Sequence, residues 1–147
     1  MGESFVGELG VIGMRGCEDF VSEVDSYLKD WRRHDSDATF LIESSCPRFG
    51  SGEGKGMIKE SVRGKDLFII CDMFNHGVTY NMYGQTVPMS PDDHYQDLKR
   101  IIGSVEGKAH RISVIMPMLY EGRQHKRSGR GSRDYGRALQ ELVKLCV

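Results

Sequence analysis

The sequence has no apolar run near the roughly 20 residues that a membrane-spanning helix needs. Its first residues lack the basic flank and continuous apolar stretch of a signal peptide, so we expect none there. The net charge is only −1, which gives the chain no overall attraction to nucleic acid. These absences favour neither a membrane-embedded protein nor a strongly basic nucleic-acid binder.

The sequence also lacks the usual signs of a metal or redox centre. The four cysteines are far apart and none forms a CxxC pair, so neither a zinc site nor a dithiol redox site is indicated. No histidine pairs with another histidine or a carboxylate at metal-ligand spacing, and no Ser/His/Asp or Cys/His arrangement is recognisable. We therefore predict no metal-ligating residue, and we expect reduced, mostly buried thiols in a cytoplasmic protein.

What the sequence does contain is an alternation of apolar strands and amphipathic helices along one domain of residues 1–147. This order predicts an α/β fold with an open, mainly parallel sheet flanked by helices. Residues 73–89 show no clear period and are interpreted as a long excursion. Strands are predicted at 7–13, 38–44, 56–62, 66–72 and 111–119, and helices at 17–33, 90–103 and 134–147, with the strands 66–72 and 111–119 buried.

Two of the helices have specific local signals. Ser90 suits the N-cap of the second helix, Pro91 its first position and Gly103 its end. The third helix is predicted to bury one apolar stripe. The residues of that stripe are Tyr135, Leu139, Leu142, Val143 and Cys146.

The stretch "YEGRQHKRSGRGSRDYG", residues 120–136, is called the basic loop here. Its cations are Arg123, Lys126, Arg127, Arg130 and Arg133, against two carboxylates. Arginine offers a fork of donors that matches phosphate oxygens. The basic loop leaves the carboxyl end of a predicted strand and runs to a helix N-terminus, a common place for anionic ligands in α/β sheets. Phosphate binding, an arginine-rich RNA-binding arm and a solvated loop without a role all stay open from spacing alone.

A second glycine-punctuated stretch is "RFGSGEGKG", residues 48–56, called the glycine-rich loop here. It contains Lys55, but Gly56 follows where a Walker A motif needs Ser or Thr. Phe49 lies in a turn-forming stretch and could stack on a flat base, although a plain hairpin turn explains the pattern as well. Among the histidines, His125 is the best placed for ligand contact because it lies within the basic loop.

Two segments together resemble a known family. "RFGSGEGKGMIKESVRGKDLFII" (48–70) and "PMLYEGRQHKRSGRGS" (117–132) are similar to signatures in the N-terminal half of ribose-phosphate pyrophosphokinases. These enzymes transfer the diphosphoryl group of ATP to ribose 5-phosphate with Mg²⁺, supplying activated ribose for nucleotide synthesis. The resemblance implies a phosphoribosyltransferase-like N-terminal domain, a homo-oligomer ranging from dimer to hexamer, ATP and ribose 5-phosphate as substrates, and no membrane or nucleic-acid partner.

The resemblance also implies roles for individual residues. Phe49 would pack on adenine, and Ser51 and Glu53 would contact the adenine edge across a subunit interface. Arg123 would contact the ATP phosphates. The implied catalytic residues are Arg123 and Lys126, and the implied ATP contacts are Phe49, Ser51, Glu53, Arg123, Gln124, His125 and Arg127.

The sequence departs from the family pattern at several points. Ser51 replaces the usual Asp or Asn, His125 replaces the usual Asp, and the stretch 71–90 is longer. The family's metal-binding histidine and pentose-phosphate loop are not among these 147 residues, so we expect the chain alone to be inactive as a diphosphotransferase. The alternative is a non-catalytic, nucleotide-sensing subunit that associates with a full-length synthetase. RNA binding through the basic loop is a third hypothesis.

Overall fold

The computed structural model of the chain describes residues 7–32, 38–126, 129–131 and 134–146. Strands and helices alternate, as the sequence predicts, only along part of the chain, since five strands follow one another between the first and the second helix. In chain order the regular elements are β1 (Leu9–Gly13), α1 (Glu18–Arg32), β2 (Ser44–Ser45), β3 (Met57–Ile58), β4 (Asp66–Ile70), β5 (Thr79–Met82), β6 (Gln85–Pro88), α2 (Pro91–Val105), β7 (Arg111–Ile115), a 3-10 turn (Gly122–Gln124) and α3 (Asp134–Leu145).

The central sheet has three parallel strands in the order β1–β4–β7, and three helices flank it. Gly13 pairs with Ile70 and Ile70 with Ile115, so the carboxyl ends of all three strands lie at one edge. The α/β class and the parallel sheet are therefore confirmed. Of the predicted strand 38–44, only Leu41 forms a parallel bridge to β1, beside Val11.

Apolar side chains fill both faces of the sheet because successive residues of a strand point to opposite sides. Ile12, Leu67 and Ile69 are fully buried in the larger core cluster, which includes apolar residues of α2 and α3. Val11 and Ile70 belong to a smaller cluster with residues of α1. The predicted burial of the strand at 66–72 on both faces is confirmed, since four of the five residues of β4 are buried.

Helix α2 begins as the sequence predicts and ends later. The Ser90 hydroxyl accepts a hydrogen bond from the Asp93 amide, and the Asp93 carboxylate accepts one from the Ser90 amide, which together form a capping box. The helix does not end at Gly103 but continues to Val105, which is completely buried. It then stops at Glu106, in the left-handed region with φ 52°. Burial of the last turn outweighs the glycine as a stop signal.

Two other predictions were wrong in detail, and the structure adds a hairpin within the stretch interpreted as an excursion. Strand β7 is only partly buried, because in the described part of the chain it has one neighbour in the sheet, β4. Val143 of α3 is 63% exposed, while Ala138 takes a buried position on that helix. The stretch 73–89 contains an antiparallel hairpin, β5–β6, whose turn is formed by Tyr83 and Gly84. No helix among the described residues is long and apolar enough to cross a membrane.

Candidate functional site

A cleft of about 630 Å³ opens where the basic loop leaves the sheet. The loop follows β7, whose carboxyl end lies at the same edge as those of β1 and β4. The start of α2 forms the facing side of the cleft. Its lining consists of Phe74, Pro91, Asp92 and the eight residues from Pro117 to Gln124. The structure therefore places the beginning of the basic loop at the edge where α/β sheets bind ligands.

Short local hydrogen bonds shape the beginning of the basic loop. The Gly122 amide donates to the Leu119 carbonyl at 3.1 Å, and the Gln124 amide donates to the Glu121 carbonyl at 2.8 Å. Glu121 has φ 59°, which turns the chain sharply into the 3-10 turn. As a result Arg123 and Gln124 line the cleft and are both exposed.

The cations of the basic loop are exposed and unpaired where they are described. Arg123, Lys126 and Arg130 have no salt-bridge partner among the described residues. The predicted ATP contact Arg127 and the cation Arg133 lie outside the described residues. Unpaired cations at one edge attract an anion from solution. His125 is exposed too, with Nδ1 3.3 Å from the Gly122 carbonyl oxygen.

The wall of the cleft is held by stacked tyrosines. Tyr120 and Tyr95 stack with ring centroids 4.1 Å apart and planes at 10°. The Tyr120 hydroxyl donates to Asp92 of α2 at 2.6 Å, and the Tyr95 hydroxyl donates to the Ala138 carbonyl of α3 at 2.7 Å. Burial raises the pKa of Tyr120, with the hydrogen bond to Asp92 adding to the effect. Burial likewise raises the pKa of Tyr95 to about 12, so both hydroxyls stay protonated donors at neutral pH.

The glycine-rich loop forms a tight hairpin that exposes its aromatic residue. The Phe49 amide donates to the Glu53 carbonyl at 2.8 Å, and the Gly52 amide donates to the Phe49 carbonyl at 2.9 Å. The Phe49 side chain is 59% exposed. The Ser51 hydroxyl donates to the Glu53 carboxylate at 2.8 Å, which fixes the orientation of that carboxylate. The three residues predicted to contact adenine therefore lie together on one exposed turn.

A buried ion-pair network anchors this loop to α2. Arg48 donates to Asp97 at 2.8 Å and Arg100 donates to Asp97 at 2.7 Å. A Cβ atom at Gly56 would lie 2.4 Å from the Arg100 carbonyl oxygen, and one at Gly54 would lie 2.8 Å from its guanidinium. The contact with the Arg100 backbone accounts for Gly56 without a phosphate ligand. The anchor is absent from the sequence-based prediction because Arg48 and Asp97 are 49 residues apart.

The structure keeps the two halves of the predicted site apart within one chain. Among the described residues, those that line the cleft include Arg123 and Gln124 but not Phe49, Ser51 or Glu53. The described part of the chain also contains no group of three or more His, Cys, Asp or Glu residues that could hold a metal ion. One chain therefore presents a cationic cleft and, apart from it, an exposed aromatic turn. After the predicted ATP site, they are called the cationic half-site and the aromatic half-site below.

Comparisons with known proteins identify the family and the fold of the chain. Residues 9–140 match the family model described as the N-terminal domain of ribose phosphate pyrophosphokinase. Among solved structures, the fold is similar to that of phosphoribosylpyrophosphate synthetase from Mycobacterium smegmatis, with a TM-score of 0.71 and 21% sequence identity. The match covers 94% of this chain and 39% of the synthetase chain. No curated protein sequence gave a match.

Proposed function

The chain belongs to the family of the N-terminal domain of ribose phosphate pyrophosphokinase, and from that membership we propose that it forms the ATP-contacting part of such an enzyme. The reaction of the whole enzyme would be transfer of diphosphate from ATP to ribose 5-phosphate, giving 5-phosphoribosyl 1-diphosphate. The observation that carries the proposal is the exposed, unpaired Arg123 in a cleft at the carboxyl edge of the parallel sheet.

The cationic half-site is suited to the phosphates of ATP. Arg123 can donate two parallel hydrogen bonds to phosphate oxygens, and Gln124 beside it adds an uncharged donor. Lys126 and His125 follow directly in the chain and are exposed. Diphosphoryl transfer depends mainly on positioning and on neutralising charge, so Arg123 and Lys126 are the residues to which we assign the catalytic role.

The aromatic half-site is suited to the adenine base. Phe49 offers an exposed ring face, and Ser51 and Glu53 offer a hydroxyl and a carboxylate for the base edge. Because these residues do not line the cleft of their own chain, we propose that they act on a nucleotide held by Arg123 of a second copy. A homo-oligomer would then be needed for a complete ATP site, as the family resemblance implies.

Mg²⁺ is part of the proposal only as a companion of ATP. The cleft contains two carboxylates, Asp92 and Glu121, and Asp92 already accepts a hydrogen bond from Tyr120. Mg²⁺ is usually held by one or two carboxylates together with substrate phosphates, so these two residues fit a nucleotide-bound ion better than a dedicated protein site. When bound, the ion would neutralise phosphate charge.

Binding of Mg·ATP to the 147-residue chain tests the cationic half-site. We expect Arg123→Ala to weaken binding by roughly 10- to 100-fold, since a charged hydrogen bond contributes about 1.5–3 kcal/mol. Arg63→Ala is the matched control, because Arg63 is equally exposed but precedes the amino end of β4 at the opposite edge of the sheet. Isothermal titration calorimetry gives both affinities. Equal losses in the two variants would contradict a specific role for Arg123.

Mixing two variants that each bind ATP weakly tests the sharing of the site between copies. Phe49→Ala and Arg123→Ala each damage one half-site of every nucleotide site in a homo-oligomer. In a dimer that exchanges subunits, about a quarter of all sites in an equal mixture would combine two intact halves. We expect ATP binding of the mixture to exceed that of either variant alone. No gain after subunit exchange would place both half-sites on one copy.

The expected activity of the chain alone is a separate question. We propose that the 147 residues by themselves form no 5-phosphoribosyl 1-diphosphate from ATP and ribose 5-phosphate, because the family's pentose-phosphate loop is not among them. The second candidate, a nucleotide-sensing subunit, rests on Ser51 and His125, which replace the usual acidic or amide residues. Co-purification with a full-length synthetase, with ATP bound but not turned over, would favour the second candidate. A cytoplasmic location stays a prediction in both cases.

A further inference from the structure

The β5–β6 hairpin places a second exposed aromatic residue beside Phe49. The Tyr83 amide at the tip of the hairpin donates to the Gly50 carbonyl at 2.9 Å, and Gly50 directly follows Phe49. Tyr83 is 80% exposed and Phe49 is 59% exposed. Two exposed aromatic residues thus lie on turns that a backbone hydrogen bond joins, although the residues are 34 positions apart in the chain.

Tyr83 occupies a backbone conformation that does not favour tyrosine. Its φ is 48° and that of Gly84 is 79°, so both turn residues are in the left-handed region. Turns of this kind prefer Asn-Gly or Gly-Gly, because a Cβ atom is crowded by the backbone there and the short Asn side chain compensates through local hydrogen bonds. No described residue accepts a hydrogen bond from the Tyr83 hydroxyl. Folding of the hairpin therefore gives no evident reason for a tyrosine at this position.

The hairpin is also held firmly against the glycine-rich loop. The Arg48 guanidinium lies 4.7 Å from the centroid of the Tyr80 ring, an attractive cation–π geometry. Gly52 has φ 92° and approaches Met82 so closely that a Cβ atom would lie 2.9 Å from its sulfur. Contacts on both strands of the loop therefore fix the hairpin tip relative to Phe49, as a shared binding surface requires.

We propose that Tyr83 is a base-contacting residue, which together with Phe49 forms a two-ring surface for the purine base of the nucleotide. The proposal rests on the proposed function, since it assigns a further residue to the aromatic half-site. It gives a role to the longer stretch after β4, which departs from the family pattern. A purine fits because its large flat face can contact two aromatic side chains at once.

Substitution by asparagine separates binding from folding. Tyr83→Asn removes the ring while providing the residue that this turn prefers, so we expect an equal or higher melting temperature. Affinity for Mg·ATP should fall about tenfold, the low-to-middle range for loss of one aromatic contact to a base. Affinity for inorganic tripolyphosphate, which has no base, should not change. Tyr83→Phe keeps the ring and should bind both probes within about twofold of the unsubstituted chain.

The binding results for the three variants distinguish the role of Tyr83 from the proposed function on which it rests. If Phe49→Ala and Arg123→Ala weaken Mg·ATP binding but Tyr83→Asn does not, Tyr83 is no base contact and the proposed function stands. If none of the three variants weakens binding, both proposals are overturned. If Tyr83→Asn weakens tripolyphosphate equally, or lowers the mass of the assembly in sedimentation, Tyr83 acts through subunit contact and the inference is wrong.

Discussion

Replacement of Asp97 by asparagine should destabilise the protein strongly. Asp97 is 1% exposed and accepts hydrogen bonds from both Arg48 and Arg100. The Arg48 side chain is itself only 6% exposed, and its Nε has no hydrogen-bond partner in the described structure. Arg48 consequently depends on Asp97 for the neutralisation of its charge.

The expected loss of stability depends on whether each arginine can be hydrated after the substitution. Arg100 is more exposed, at 22% of its side chain, and can recover hydration. Arg48 remains in the interior beside an uncharged amide. Removing one partner of a buried ion pair costs about 3–5 kcal/mol, and asparagine retains one acceptor, so we expect about 3 kcal/mol. With a urea m-value of about 2 kcal/mol/M, the unfolding midpoint should fall by about 1.5 M.

Urea unfolding at pH 7 followed by far-ultraviolet circular dichroism measures this shift. Glu43→Gln is the control, because it breaks a surface ion pair with Lys59 in which both side chains are more than half exposed. Such a pair contributes at most about 1 kcal/mol, and usually less. If the midpoint of Asp97→Asn moved no further than that of Glu43→Gln, the argument that Asp97 compensates a buried Arg48 would be refuted.

Two further predictions concern titratable groups. Burial acts to raise the pKa of Asp25, but hydrogen bonds, led by that from Lys29, outweigh it and leave the pKa below its ordinary value. Its stabilising contribution is present above the unfolded-state pKa near 3.9 and is lost as the pH falls through the lower folded-state pKa. Asp25→Asn should therefore lower the free energy of unfolding by about 2 kcal/mol at pH 7. In urea titrations, the difference in unfolding free energy between the variant and the unsubstituted chain should shrink toward about pH 2. A difference that stays constant with pH would contradict the lowered pKa of Asp25. Burial raises the pKa of Cys46 and of Cys71 to about 12. With a disulfide reagent at pH 8, the less buried Cys146 should therefore react first, and Cys146→Ser should remove the fast phase of labelling. Rapid labelling of all thiols in the folded chain would contradict this order of reactivity.

Features encoded by neighbouring residues could be predicted from the sequence. The start of α2 follows from Ser90, Pro91 and Asp93, all within one turn, and the capping box has the predicted N-cap. The basic loop could be placed at the carboxyl edge of the sheet because an apolar strand precedes it and a helix follows. Each inference needed only local chemistry and the parallel order of the strands.

Features that depend on distant residues could not be predicted. The pairing of Arg48 with Asp97 spans 49 positions, and neither residue carries a local signal of it. The β5–β6 hairpin was missed because Tyr83 stands where a hairpin turn ordinarily shows asparagine or glycine. The burial of β7 was overestimated because its composition resembles that of a central strand, whereas its position in the sheet depends on which strands lie beside it.

Helix α2 connects the two half-sites within each chain. Asp97 on this helix holds the glycine-rich loop through Arg48, and Asp92 on the same helix holds the basic loop through Tyr120. Because both anchors lie on one helix, five positions apart, we expect the spacing of the aromatic and cationic half-sites to change little when nucleotide binds. Two copies related by a twofold axis could then bring the aromatic half of each against the cationic half of the other, which completes two sites at once. Substitutions at Asp97 should accordingly weaken ATP binding through Phe49 as well as lower stability, while the affinity for tripolyphosphate at Arg123 should be retained under conditions where the chain stays folded.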